Sequence, residues 1–417
     1  MSASAPSTLA TAVTRRLATA PADLVACLPT PTGAVSFVLD GAGLVGWGEY
    51  AGLRVTGPDA AARIGEWYAA EVAALAVTDG AGVPGSGPVC FVSLGFAAAD
   101  ESVAVIPRVV LGVRDGVAFV TTIGGAVPLS DPEPVRPPGQ VSYADADLSV
   151  ADFTSAVAAA VGRIRAGEAE KVVLAHGVQA TTTEPVDERY LLGRLASDYP
   201  TCATFAVAGL VGASPELLVR RTGGSVVSRV LAGTAWPERS GERVEQELLG
   251  SAKDQAEHEF AVRSVSSTLA TVTSSLQVPA APRPLTLANL THLATDVTGV
   301  LADGPGADDR PSALDLAAML HPTAAVGGTP TEVALAMIAE LEPVPRGRYA
   351  APVGWMDASG DGEFAIALRC GLVADRTVRL MAGCGIVADS DPQTEAREAQ
   401  IKMIPIRDAL EGSESEG

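Results

Sequence analysis

Only three of the 29 basic residues in this chain are lysines, Lys171, Lys253 and Lys402; all the others are arginine. Arginine stays charged in a protein, whereas lysine can give up its proton and act as a base. A chain that defaults to arginine keeps lysine where a compact, titratable amine is useful. Lys171 precedes the apolar run Val172-Val173-Leu174, which reads as a strand and draws the amine toward a core. Lys253, in Ser251-Ala252-Lys253-Asp254, reads better as a surface ammonium on a helix. Glu216 follows Pro215 and precedes Leu217-Leu218-Val219. A carboxyl desolvated at such a turn has its pKa raised, and a raised carboxyl beside a neutral lysine makes an acid and a base usable near neutral pH. A solvent-facing Glu on an edge strand fits the same local sequence.

Glu395 and Glu398 lie three apart just after Asp391-Pro392, on one face of a helix. Glu257, in a second helical segment, offers a third carboxylate. Oxygen donors from separate helices suit Mg²⁺, which completes its octahedron with water and substrate oxygens; acidic residues in a first helical turn also simply complement the helix dipole. Arg369 interrupts the apolar runs 364–367 and 371–373. A buried arginine needs a partner, and a substrate carboxylate suits its planar fork. Gly233, Gly383 and Gly385 would let a small anion approach backbone N–H groups. His176, His258, His292 and His321 share no zinc-ligand spacing and read as hydrogen-bonding groups. Ser214 has no nucleophile-elbow context, and no phosphate-binding loop or dinucleotide glycine motif is present.

These residues need elements to hold them. Strands are expected at 34–39, 44–49, 89–95, 102–112 and 117–122, and a helix at 58–77. The proline-rich segment 129–139 is the candidate linker. Beyond it a helix capped by Asp152 runs to 167, a strand spans 171–179, and a helix spans 187–197. A meander follows at 203–208, 212–221 and 225–235. One long helix is expected over 242–274, with short helices at 312–320 and 330–340. A second meander is expected at 353–357, 363–374 and 377–387, before a last helix opened by Asp391-Pro392. Strands in runs between helices in runs predict an α+β fold with largely antiparallel sheets. Residues 1–22 are expected to be frayed, 23–128 a β-rich leader and 150–411 a core in which the chemistry concentrates, as one two-lobed unit or as two domains.

Composition sets limits. The 417 residues are 47% apolar but only 4% aromatic, so small aliphatic side chains must fill the core. A net charge of −20 disfavours nucleic acid and anionic membrane as partners and leaves an anionic small molecule possible only where cations invert the local field. Five widely spaced cysteines without a CxxC motif point to free thiols in a reducing cytoplasm. No signal peptide is read, and no apolar run reaches the ~20 residues of a spanning helix.

Taken together the motifs resemble those of the chorismate-utilising enzymes, the superfamily of anthranilate, isochorismate and salicylate synthases, and within it the isochorismate synthases. The carrying segments are Glu170-Lys171-Val172-Val173-Leu174-Ala175, Gly212-Ala213-Ser214-Pro215-Glu216-Leu217, Leu231-Ala232-Gly233-Thr234 and Ser251-Ala252-Lys253-Asp254 with Glu257-His258. Further on come Thr291-His292-Leu293-Ala294-Thr295, Leu320-His321-Pro322-Thr323-Ala324-Ala325-Val326-Gly327-Gly328, Gly354-Trp355 and Ala382-Gly383-Cys384-Gly385-Ile386-Val387. The match is nearly continuous over 150–410 and only broad over 23–130.

The resemblance implies a two-lobed α+β fold with the site in the cleft between lobes. It makes Lys171 the general base and Glu216 the general acid, and Glu257 and Glu398 the Mg²⁺ carboxylates, with Glu395 close by as a water-mediated ligand. Arg369, Tyr349 and the backbone of Gly385 would hold substrate carboxylates. Gly233, Thr234, Ala325 and Lys402 would be further pocket positions, and His292 a polar residue near the ring. Lysine at position 171 marks water as nucleophile, because ammonia-adding members need no base there. The implied reaction is hydration of chorismate at C2 with loss of the C4 hydroxyl, giving isochorismate, in a monomer without a glutamine amidotransferase subunit. The alternatives are a salicylate synthase and a non-catalytic chorismate-binding partner subunit. Two positions depart from the family pattern: His176 stands where arginine is usual, which would alter an ion pair, and Cys384 replaces a small alanine, which would narrow the pocket wall.

Overall fold

A computed structural model describes residues 9–125, 132–146, 148–235, 242–286, 291–303 and 310–412. In chain order its elements begin with strands β1 (Ala10–Arg16), β2 (Val35–Leu39) and β3 (Ala42–Val55), helix α1 (Ala60–Ala73), and strands β4 (Leu75–Asp79), β5 (Val89–Ser93), β6 (Ser102–Arg114), β7 (Val117–Ile123) and β8 (Val141–Asp145). Then come α2 (Val150–Arg165), β9 (Lys171–Thr182), α3 (Glu188–Asp198), β10 (Ala203–Val207), β11 (Leu210–Ser214), β12 (Leu217–Thr222), β13 (Ser225–Ala235), α4 (Glu242–Gly250) and α5 (Ala252–Ala270). The last group is β14 (Thr273–Gln277), β15 (Arg283–Thr286), β16 (Thr291–Leu301), α6 (Ala313–Leu320), β17 (Gly328–Thr329), α7 (Thr331–Leu341), β18 (Pro352–Asp357), β19 (Gly362–Ile366), β20 (Cys370–Ala374), β21 (Thr377–Ile386), α8 (Pro392–Lys402) and α9 (Ile404–Glu411).

The long pairing of β3 with β6 is where the sheet divides. From β3 one arm runs through β2, β10, β11, β20 and β21 to β9. From β6 the other runs through β5, β18, β19, β12 and β13 to β16. Among the described residues only β1 and β4 pair in parallel. The fold is α+β. One contiguous buried core reaches from Ala12 to Leu410, and β5 pairs with β18, which lies more than 250 residues later in the chain. The far strands of the two arms, β9 and β21 on one side and β13 and β16 on the other, line one cleft.

The helices that carry site residues begin where their caps dictate. Ser251 accepts from the Asp254 N–H and starts α5, and Asp391 accepts from the Thr394 N–H with Pro392 in the first turn of α8. These caps also correct the long helix expected at 242–274. It breaks at Ser251 into α4 and α5, because a serine side chain that bonds the backbone N–H three residues on ends one helix and begins another. Its tail, Thr273–Gln277, is instead strand β14 against β16. Helix α2 is capped by Ser149, with Asp152 as its reciprocal partner, not by Asp152. Residues 10–16 are not frayed but form β1, held between β4 and β7; residues 1–8 lie outside the described residues. The helix expected to reach 77 ends at Ala73, and the β-branched Val77 and Thr78 belong to β4. Of the expected linker, 132–139 are described and carry no regular structure.

Candidate active site

The cleft encloses about 740 Å³ counted out to its open mouth. Four groups of elements bring side chains to it. The β11–β12 turn carries Glu216, and the Gly233 bulge of β13 sits opposite His292 of β16. Helices α5 and α8 present Glu257 and, one turn apart, Glu398 and Lys402. The loops before β17, β18 and β20 bring Ala325, Tyr349 and Arg369 in turn, and β21 contributes Gly385.

Lys171 opens β9 and is fully buried. Its Nζ donates to Glu257 Oε1 at 3.0 Å, so the amine lies directly beneath a carboxylate that faces the cleft. The register of β9 with β21 sets Val173 beside Gly385, and Gly385 is what makes the contact possible. A Cβ built there would stand 2.7 Å from both Glu257 Oε1 and Lys171 Cε, distances that real Cβ atoms do not tolerate. The glycine at this position makes room for the lysine–glutamate pair.

Glu216 is 5% exposed. Burial pushes its carboxyl up to about 8, against the pull of the Arg369, Lys171 and Lys402 cations. Ser214 Oγ accepts from its backbone N–H at 3.3 Å and fixes the turn. A carboxyl so placed is protonated at neutral pH and can donate.

Arg369 does not sit within one continuous strand as expected from 363–374. It occupies a left-handed bend (φ 47°) between β19 and β20, a conformation that costs energy in a non-glycine residue. The bend turns its side chain out of the sheet plane and into the cleft. Its Nη2 donates to His292 Nε2 at 3.2 Å. Since arginine only donates, Nε2 is the acceptor, and Nδ1 carries the proton toward Gly233 O at 3.1 Å. Burial, reinforced by Arg369 and Lys402, holds the His292 pKa well below its usual value. Tyr349 is a buried neutral phenol, raised to about 12 by burial.

On α8, Lys402 Nζ donates to Glu398 Oε1 at 2.7 Å and to Gly383 O at 3.0 Å. Burial works against its charge, but Glu398 overrides this and raises its pKa. Glu395 stays off the cleft wall, 3% exposed, where Ser390 Oγ donates to its Oε1 at 2.8 Å. Its carboxylate, that of Glu398 and the Cys384 thiol all fall within 4.8 Å of one another; Glu257 is outside that group. The side chains of Thr234 and Lys253 lie outside the described residues.

Of the two departures from the family pattern, Cys384 acts otherwise than expected. Cys384 does not narrow the cleft: Gly383 and Gly385 line it, and the alternation of β21 turns Cys384 to the other face, where its thiol donates to Glu395 O at 3.2 Å. Among the described residues His176 makes no ion pair, in keeping with the loss of the usual arginine. It packs against Phe153 with ring centroids 4.7 Å apart and meets Gln400 Nε2 at 3.4 Å, and burial lowers its pKa.

The sequence reading passed over the apolar walls, Val173, Leu231, Val326, Leu368 and Met381; alternation along strands already assigned was the available signal. It also left His258 generic. Its Nε2 meets Thr295 Oγ1 at 2.7 Å and its Nδ1 meets Ala232 O at 3.3 Å. The ring thereby ties α5 to β13 and β16 one residue after Glu257.

A family model described as chorismate binding enzyme matches residues 128–411. The chain belongs to this family. Isochorismate synthase MenF of Bacillus subtilis is 38% identical over 273 residues, 64% of this chain and 57% of that protein. Isochorismate synthase DhbC of the same organism is 39% identical over 268 residues, 60% of this chain and 66% of that one. The chain thus matches under two thirds of the length of either relative. The crystal structure of a 2,3-dihydroxybenzoate-specific isochorismate synthase, DhbC from Bacillus anthracis, superposes with a TM-score of 0.76 at 28% identity, over 93% of this chain and 98% of that one. The part covered by the family model holds every cleft residue described above, so the chorismate-binding family and the cleft coincide in the chain. Among the described residues no helix is long and apolar enough to cross a membrane, and all five cysteines are free.

Proposed function

We propose that the chain is an isochorismate synthase that adds water to C2 of chorismate and expels the C4 hydroxyl, acting in the cytoplasm as a monomer with no amidotransferase subunit. The observation that carries this reading is Glu216: a buried carboxyl raised to about 8, in the cleft that Glu257, the partner of the buried Lys171, also lines. Lys171 takes a proton from the attacking water as its oxygen bonds to C2. The ring double bonds shift, the C4–O bond breaks, and Glu216 gives its proton to the departing hydroxyl, which leaves as water. Arg369 offers its remaining N–H groups to a substrate carboxylate, and its bond to His292 fixes the direction of the fork.

Glu257 and Glu398 would hold Mg²⁺. All-oxygen donors fit a hard cation, and the two carboxylates line the same cleft from separate helices. Bound there, the ion would supply Lewis-acid polarisation of the ring carboxylate. Glu395, bonded to Ser390, would steady the turn of α8 that presents Glu398. The test is purified protein with chorismate and Mg²⁺, products separated by chromatography. Isochorismate is expected; salicylate with pyruvate would make it a salicylate synthase, and unchanged chorismate would make it a binding subunit.

A further inference from the structure

Behind Tyr349 and Met381 lies a second, smaller chamber that shares those two side chains with the cleft. It holds about 350 Å³ on the same measure, of which about 40 Å³ is free. At the ~10–15 Å³ that one water needs, that is room for a few water-sized particles and no more. Arg346, Arg348 and Arg379 line it, and among the described residues no carboxylate does. In a chain of net charge −20 the local sign is inverted.

The three guanidinium groups are not equivalent. Arg346 is neutralised by Glu342, at 2.5 Å to Oε1 and 2.8 Å to Oε2. Arg379 donates to Pro345 O at 3.2 Å and its charge acts on Asp100. Arg348 is held by carbonyls: its Nη1 donates to Val207 O at 2.8 Å and its Nη2 to Ala208 O at 2.7 Å. Glu101, the carboxylate whose field reaches it, is itself bound to Arg54 at 2.5 Å, and the Arg54 charge opposes that of Arg348. Burial accordingly lowers the Arg348 pKa to about 10, so the group stays charged at neutral pH while stripped of much of its water. A half-buried cation held only by carbonyls is short of counter-charge, and its other N–H groups remain open to an acceptor.

We propose that this chamber binds one small monovalent anion of the chloride class against the Arg348 guanidinium, as the counter-ion that closes the wall behind the substrate cleft. At about 350 Å³ against about 740 Å³ for the cleft, the chamber favours a small anion over a larger organic carboxylate. The anion then sits one side chain away from the substrate, across Tyr349 and Met381.

The test compares thermal unfolding of the full chain in sodium chloride or bromide with unfolding in sodium gluconate, a much larger anion, at matched ionic strength. Chloride and bromide are expected to raise Tm saturably by a few degrees above gluconate, and Arg348→Gln to abolish that increment. A crystal of the wild-type protein soaked in bromide is expected to show an anomalous peak in the chamber against Arg348. Absence of that peak overturns the proposal, as does a chloride increment retained in Arg348→Gln. If the variant does not fold, the bromide peak decides alone.

Discussion

The Arg369 guanidinium donates a 3.2 Å hydrogen bond to His292 Nε2, and this one contact fixes the tautomer of the histidine and the heading of the arginine together. It joins the bend between β19 and β20 to the bulged pairing of β13 with β16, so the two arms of the sheet meet at the point where a substrate carboxylate would bind. In Arg369→Lys a compact ammonium replaces the planar fork. KM for chorismate should rise roughly 10–100-fold, the loss of a charge-assisted bond of about 1.5–3 kcal/mol, with a smaller effect on kcat. Steady-state kinetics check this, and an unchanged KM would remove Arg369 from the binding site.

Glu216→Gln should bind chorismate normally but stall, because an amide cannot protonate a departing hydroxyl. The loss should fall in kcat with KM little changed. In the wild type kcat should decline as pH rises through about 8, where the Glu216 carboxyl loses its proton.

The same raised pKa links to stability. The folded carboxyl holds its proton up to about 8 while the unfolded one releases it near 4.5. The folded state therefore binds more protons in that window, and stability falls as pH rises across it. Unfolding midpoints of Glu216→Gln should lack this decline; parallel pH curves for the two proteins would contradict the assignment.

Lys171→Ala should lower kcat by ~10²–10⁴-fold, the usual cost of removing a positioned base. Since it also leaves Glu257 without its 3.0 Å partner, circular dichroism should accompany the kinetics to show that the fold survives. Near-wild-type turnover at neutral pH would assign Lys171 a purely structural part.

Glu398→Gln should weaken Mg²⁺ binding in calorimetry, with and without substrate, and chelator-treated wild type should lose turnover and regain it on adding Mg²⁺. Full turnover after chelation would end the metal assignment.

Gly385→Ala inserts a Cβ 2.7 Å from Lys171 Cε and Glu257 Oε1. Overpacking of this kind costs about 1–3 kcal/mol. Activity should drop at least ~10-fold, since a displacement of about 1 Å in a catalytic group costs ~10²-fold. Unaltered kinetics would show that the lysine–glutamate pair has room to move.

The sequence by itself pointed to the candidate site residues and much of the framework. Lysine kept at 171 in an arginine chain, Glu216 after a proline turn, Glu395 and Glu398 three apart behind Asp391-Pro392, and the alternating strands of the two meanders are local patterns, because periodicity, capping and side-chain type act over a few residues. The family resemblance then named the partners of each. The break at Ser251, strands β14 to β16, and the bend at Arg369 were missed, because a serine can cap or continue a helix and a polar strand such as Thr273–Gln277 exists only when β16 is there to pair with it. Only tertiary structure decided that Lys171 pairs with Glu257, that Cys384 faces α8 and not the cleft, and that Glu216 is desolvated enough to stay protonated. Burial and pairing are set by residues far away in the chain, from Gly385 beside Lys171 to Arg369 beside His292, and no local pattern carries the distance between them.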